Sequence, residues 1–172
     1  MEDLFQAALV DPSLKVKSLS AWAAINPQHK ELIYTALDQA VQNTRGPFSS
    51  ISHTHTEGGF AVSKFPVGFD LEVTSRVTLE LVARISFDEE LTQAPDFASL
   101  WCAKEAAFKA LKHFKQPKVV SQIKINFDKN HQGRCPLFTI ENEKDFGALG
   151  GIGATYTTSN LTYCVLIFKS EF

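Results

Sequence analysis

The chain has 172 residues, 44% apolar and 21% charged. That is one domain's length with enough apolar content to fold around its own core and too little charge for a disordered segment. Seventeen basic residues against nineteen acidic ones leave a net charge of −2, which argues against a nucleic-acid or membrane-surface binder. There is no apolar run of the roughly 18 residues a membrane helix needs, and Glu2 and Asp3 stand where a secretory signal would be basic. Cys102, Cys135 and Cys164 are far apart and form no C-x-x-C, so they read as reduced, buried thiols rather than a disulfide frame or zinc site. The expectation is a cytoplasmic protein of one domain, 1–172, with a helical segment and loop over 1–58 and an α+β core over 59–172.

In chain order, the first element is a short helix around Leu4–Val10, ended by Asp11-Pro12. Asn26-Pro27 is a helix start, and Ile33, Leu37, Ala40 and Val41 recur at helical spacing until Gly46-Pro47. Phe48–Gly59, rich in Ser, Thr, His and Gly, is expected to be loop with at most one short strand. Phe60–Lys64 reads as a strand. In Val67–Val73 the apolar Val67, Phe69, Leu71 and Val73 alternate with Gly68, Asp70 and Glu72, a strand with two distinct faces.

Farther on, a helix is expected over Ser75–Ile85, and another from an Asp96 cap to about Phe114. The second helix would bury Phe97, Leu100, Trp101, Phe108 and Leu111. Strands follow at Ile123–Phe127, Leu137–Ile140 and Tyr163–Phe168. Gly147, Gly150, Gly151 and Gly153 lack dinucleotide-loop spacing and read as a mobile loop. The whole is an α+β fold, a mostly antiparallel sheet packed on helices and preceded by a helical N-terminal segment.

Charge is uneven along the chain. Eight acids lie between Asp70 and Glu105, then seven lysines between Lys104 and Lys129. This suits a site that handles a metal with phosphates; two solvated surfaces of opposite sign would give the same pattern.

Asp70 and Glu72 leave one strand face with Cα atoms about 7 Å apart. Two such carboxylates repel unless a cation lies between them, and hard oxygen donors without cysteine favour Mg²⁺, with Mn²⁺ the next choice. A solvated strand face with two acids is the bland alternative. Glu105 is four residues from Lys109 on one helix face, either a surface ion pair or a third carboxylate beside a phosphate-binding lysine. Lys104 falls on the apolar stripe, where its ammonium either snorkels outward or enters a cleft. Ser52-His53 adds a hydroxyl and an imidazole. No third ligand at metal spacing supports zinc at His53-Thr54-His55, and no nucleophile motif is present.

These pieces, in this order, resemble the 4′-phosphopantetheinyl transferases, nearer the Sfp type than the short holo-acyl-carrier-protein synthase type. Val67-Gly68-Phe69-Asp70-Leu71-Glu72 is similar to the family's V-G-[IV]-D-x-E strand, and Trp101–Lys109 to its W-x-x-K-E-[AS]-x-x-K helix. Ser52-His53 resembles the upstream S-H motif, and Arg45-Gly46-Pro47 loosely echoes G-[KR]-P. The resemblance implies that Asp70, Glu72 and Glu105 hold Mg²⁺ on the pyrophosphate of coenzyme A. By the same resemblance Lys104 and Lys109 contact phosphates, Arg45, Ser52 and His53 bind the cofactor, and Glu105 and Lys109 serve catalysis.

The implied reaction moves the phosphopantetheine arm of coenzyme A to a serine of an apo acyl or peptidyl carrier protein, as in fatty acid biosynthesis, and releases 3′,5′-ADP. Carrier proteins of this class are acidic, which makes Lys112–Lys129 a docking face. Phe69 departs from the usual Ile or Val, and the first half is short for the Sfp type. Either a second subunit, in a trimer or dimer, supplies the missing wall or the helices do; self-association is the expectation. The alternatives are a non-catalytic relative binding coenzyme A or a carrier protein, and a Mg²⁺-dependent phosphohydrolase.

Overall fold

A computed structural model of the chain describes residues 1–131 and 133–169. The elements are α1 (Glu2–Leu9), β1 (Lys15–Leu19), α2 (His29–Thr44), β2 (Phe48–His53), β3 (Gly58–Ser63) and β4 (Val67–Val73), followed by α3 (Leu79–Ala83), α4 (Asp88–Gln93) and α5 (Phe97–Ala110). Four strands complete the chain: β5 (Ile125–Phe127), β6 (Leu137–Ile140), β7 (Gly151–Thr157) and β8 (Leu161–Phe168). They form two antiparallel sheets, β1-β3-β2 and β4-β8-β7-β6-β5.

Alternation along the strands stacks these sheets into layers. On β3, Phe60 and Val62 point outward to Ile33, Leu37 and Ala40 of α2. Ala61, between them, points inward to a core shared with Phe5, Leu9, Val67, Phe69, Val165 and Ile167. The far side of the five-stranded sheet is covered by α5, which packs with Leu166, Phe168, Ile125 and Phe138. The order is therefore α2, small sheet, large sheet, α5. No helix among the described residues is long and apolar enough to cross a membrane.

Asp96 caps α5, its carboxylate accepting from the Ser99 amide at 2.7 Å and the Ser99 hydroxyl at 2.8 Å. The buried face of α5 is not the expected aromatic stripe. Leu100 and Leu111 are buried, but Phe97 is exposed and Trp101 and Phe108 are only partly covered. The contact is made by Ala98, Cys102, Ala103, Ala106, Ala107 and Ala110. Small side chains let the helix settle directly on β4, where a Cβ on Gly68 would lie 1.8 Å from the Ala106 carbonyl oxygen. Because that obstacle is backbone, Gly68→Ala is expected to cost at least the upper end of the ~1–3 kcal/mol of an overpacked core, read as a lowered urea midpoint.

Several expectations need correction. The segment 1–58 is not helix and loop alone: it holds β1 and β2, and β2 occupies the first half of the Phe48–Gly59 stretch expected to be mainly loop. Their polar residues break the apolar alternation because only one face of each strand is covered. The Ser75–Ile85 helix is a 3₁₀ turn, Thr74–Arg76, followed by the short α3. Gly151 and Gly153 are not loop but the start of β7, where the missing side chain of Gly153 makes room for the Phe138 ring. Gly147 and Gly150 do turn the chain, with φ of 69° and 73°.

Candidate active site

Two edge strands meet at the site. β2 ends one sheet and β4 the other, and the Ser52 hydroxyl donates to Asp70 Oδ1 at 2.7 Å across that seam. On β4, Asp70 and Glu72 share the face that Gly68 presents to α5. On the helix, Cys102, Glu105, Ala106 and Lys109 fall at i, i+3, i+4 and i+7, one continuous face toward the strand.

Lys109 does not pair with Glu105, the partner four residues away. Its ammonium reaches across to Asp70 Oδ1 at 2.7 Å and to the Phe69 carbonyl at 3.1 Å. Asp70 is 7% exposed at its side chain and Lys109 27%, so this pair is partly withdrawn from water. Glu105 makes no hydrogen bond or ion pair among the described residues. Its burial, and then the negative charges of Asp70 and Glu72, raise its proton affinity above the usual carboxylate range, with Lys109 opposing. Glu72 sits at the rim, accepting from the Val73 amide at 2.7 Å and lying 3.7 Å from the exposed Arg76 guanidinium. Cys102 and Cys164 are completely buried, and that burial, reinforced by Asp70, pushes both thiols up and keeps them protonated.

Lys104 goes elsewhere. Its side chain is 0% exposed and its ammonium is shared between Glu90 Oε2, at 2.8 Å, and the Ile123 carbonyl, at 2.5 Å. Burial lowers its affinity for a proton and Glu90 restores part of it. Glu90 also accepts from the amides of Ile125, at 2.6 Å, and Phe87, at 2.7 Å. So enclosed, the Lys104 ammonium is held by Glu90 and Ile123 and is not presented to the cleft beside Lys109. Glu90 itself was missed. The signal was the acidic run Asp88-Glu89-Glu90 opening a helix, upstream of a lysine set on an apolar stripe.

His53, at the end of β2, lies against the His29 ring with centroids 5.2 Å apart. Burial first, then the positive fields of His29, Lys109 and Lys30, lower its pKa. Arg45 closes α2 in the left-handed region with φ of 50° and is exposed. Beyond Lys109, a cleft of about 510 Å³ opens between α2, β2 and α5, lined by Tyr34, Leu37, Ile51, Phe108, Lys109 and Lys112 among others. Lys112 leans across its wall to the Ser49 carbonyl at 2.9 Å.

No three His, Cys, Asp or Glu side chains among the described residues are already close enough to grip a metal. The donor set nonetheless fits Mg²⁺ by chemistry: all hard oxygens, with the part-buried Glu105 lacking a partner and held in the field of two other acids.

Lys109 and the buried Asp70 at the seam of two sheets, with Glu72 and Glu105 nearby and a cleft beyond, form a candidate site. The chain belongs to the 4′-phosphopantetheinyl transferase superfamily, whose family model matches residues 66–157, more than half its length. It is a phosphopantetheinyl transferase by that membership. The match takes in Asp70, Glu72, Lys104, Glu105 and Lys109, while Arg45, Ser52 and His53 lie upstream of it. Among solved structures, the chain is similar to the crystal structure of Helicobacter pylori holo-[acyl-carrier-protein] synthase in complex with coenzyme A. The two share 18% identity with a TM-score of 0.47, over 60% of this chain and 99% of that one. No curated protein matches the chain.

Proposed function

We propose that this chain transfers the 4′-phosphopantetheine arm of coenzyme A to a serine of an apo acyl or peptidyl carrier protein, with Mg²⁺ as the metal. The observation that carries the reading is the facing of Glu105 and Lys109 on α5 against Asp70 on β4, inside the matched segment. Asp70, Glu72 and Glu105 would hold the metal, which supplies charge neutralisation at the pyrophosphate when bound. Lys109 offers its ammonium to a phosphate oxygen at the mouth of the cleft. Glu105, besides helping to hold the metal, would use the carboxylate oxygen left free of it to take the serine proton, directly or through one water. Ser52 fixes the Asp70 carboxylate.

The wall expected from a second subunit is supplied in this reading by the chain's own small sheet. The Ser52–Asp70 and Lys112–Ser49 bonds tie β2 to the site within one molecule, so self-association is not needed to complete the cleft.

Release of 3′,5′-ADP should require coenzyme A, Mg²⁺ and apo carrier protein together, and stop on chelation. Release without carrier would instead indicate hydrolysis, and coenzyme A binding without release a scaffold. Lys112, Lys115 and Lys118 lie beside or just beyond the cleft and complement an acidic carrier. Reversing their charge is expected to raise the apparent carrier KM about ten-fold or more, largely through slower association, and reversal of Lys115 and Lys118 alone should leave the coenzyme A KM unchanged. An unchanged carrier KM would contradict docking there.

A further inference from the structure

One cation already occupies the candidate metal site. Lys109 and Ser52 converge on the same oxygen of Asp70, each at 2.7 Å, and Lys109 is held further by the Phe69 carbonyl at 3.1 Å. The carboxylates have not closed on a common point, and Glu105, which Lys109 could have joined along the helix, is left without a partner. The lysine thus neutralises the most buried of the three acids. A divalent ion approaching Asp70 would meet a like charge already on that carboxylate, and such a neighbour subtracts directly from the attraction. A pyrophosphate changes the balance, because its oxygens offer Lys109 a charge-assisted partner at least as strong as the one it gives up.

We propose that Lys109 is a place-holder: in the cofactor-free chain it sits on Asp70 and keeps a lone divalent metal out, and it moves to a phosphate oxygen when metal and pyrophosphate arrive together. This inference rests on the transferase reading above and adds an order of events to it. The chain takes up metal as the metal–coenzyme A complex rather than as a preloaded metalloenzyme. Lys112, bonded to the Ser49 carbonyl and near enough to Lys109 for their charges to repel, does not occupy Asp70.

The test is calorimetric titration of the full chain with MnCl₂ or MgCl₂ in the absence of coenzyme A. Wild type should bind the ion weakly. Lys109→Met should bind it at least ten-fold more tightly, and Lys109→Gln should behave likewise. Lys112→Met, which removes an equal charge without freeing Asp70, should change affinity less than three-fold. Circular dichroism and thermal melting establish that the variants are folded.

Equal metal affinity in wild type and both Lys109 variants overturns the proposal, as does an equal gain from Lys112→Met, which would reduce the effect to general field. A chain that binds no metal in any variant, even with coenzyme A present, overturns the metal assignment itself. That result is distinguishable because the first two leave metal-dependent transfer standing.

Discussion

Glu105→Gln is expected to lower the transfer rate by roughly 10²–10⁴-fold, the usual range for a positioned general base, while leaving the fold intact. The amide is nearly isosteric with the carboxylate but cannot accept the serine proton and offers a metal a neutral oxygen in place of a charged one. The Glu105 carboxylate makes no hydrogen bond or ion pair among the described residues, so none is lost. Relief of its repulsion with Asp70 and Glu72 should leave stability unchanged or slightly higher. Single-turnover rates with saturating coenzyme A, alongside a urea melt, separate the two effects. A rate within a few-fold of wild type would remove Glu105 from the chemistry.

The largest stability effect is expected away from the reacting atoms, at the Lys104–Glu90 pair. Glu90→Ala strands the fully buried Lys104 ammonium and leaves the Ile125 and Phe87 amides without their acceptor. Breaking one partner of a buried pair costs ~3–5 kcal/mol. Lys104→Met should cost less, because the Glu90 carboxylate keeps both amide donors and the thioether chain refills the space. Urea denaturation of the two variants checks the order. The same Lys104→Met protein also decides how that lysine acts: a purely internal role leaves the coenzyme A KM unchanged, whereas a phosphate contact would raise it ten-fold or more.

These two lysines, five residues apart in one motif, show how far the sequence could be read. Strand β4 was legible to the residue because apolar and polar positions alternate without a break, and that alternation alone put Asp70 and Glu72 on the face opposite Phe69 and Leu71. The terminal β8 was legible from a different signal, the near-continuous apolar run Tyr163–Phe168 of a strand buried on both faces. Helix α5 was located by its Asp96 cap, yet its orientation was misjudged. Ranking side chains by bulk favours Phe97 and Trp101, whereas a helix lying on a glycine-bearing strand is fixed by its alanines. Turning the helix to that face is what buries Lys104 and brings Glu105 and Lys109 to Asp70.

Strands β1 and β2 were hidden by Lys15, Lys17 and the serines of Ser49–Ser52, polar residues that a half-covered strand tolerates. Missing them removed the small sheet, so the expectation turned to a second subunit or to the helices for a wall that the proposed reading gives to β2. The Lys109–Asp70 and Lys104–Glu90 pairs were out of reach for a different reason. Each joins residues on separate elements, and sequence spacing reports only on neighbours within one element.

The most direct measurement is the intact mass of an apo carrier protein after incubation with this chain, coenzyme A and Mg²⁺, followed by mapping of the modified peptide. The carrier should gain one phosphopantetheine arm on a single serine, with nothing added when metal is chelated or Glu105 is replaced by Gln. A carrier of unchanged mass, in the presence of folded protein and intact coenzyme A, would contradict transfer.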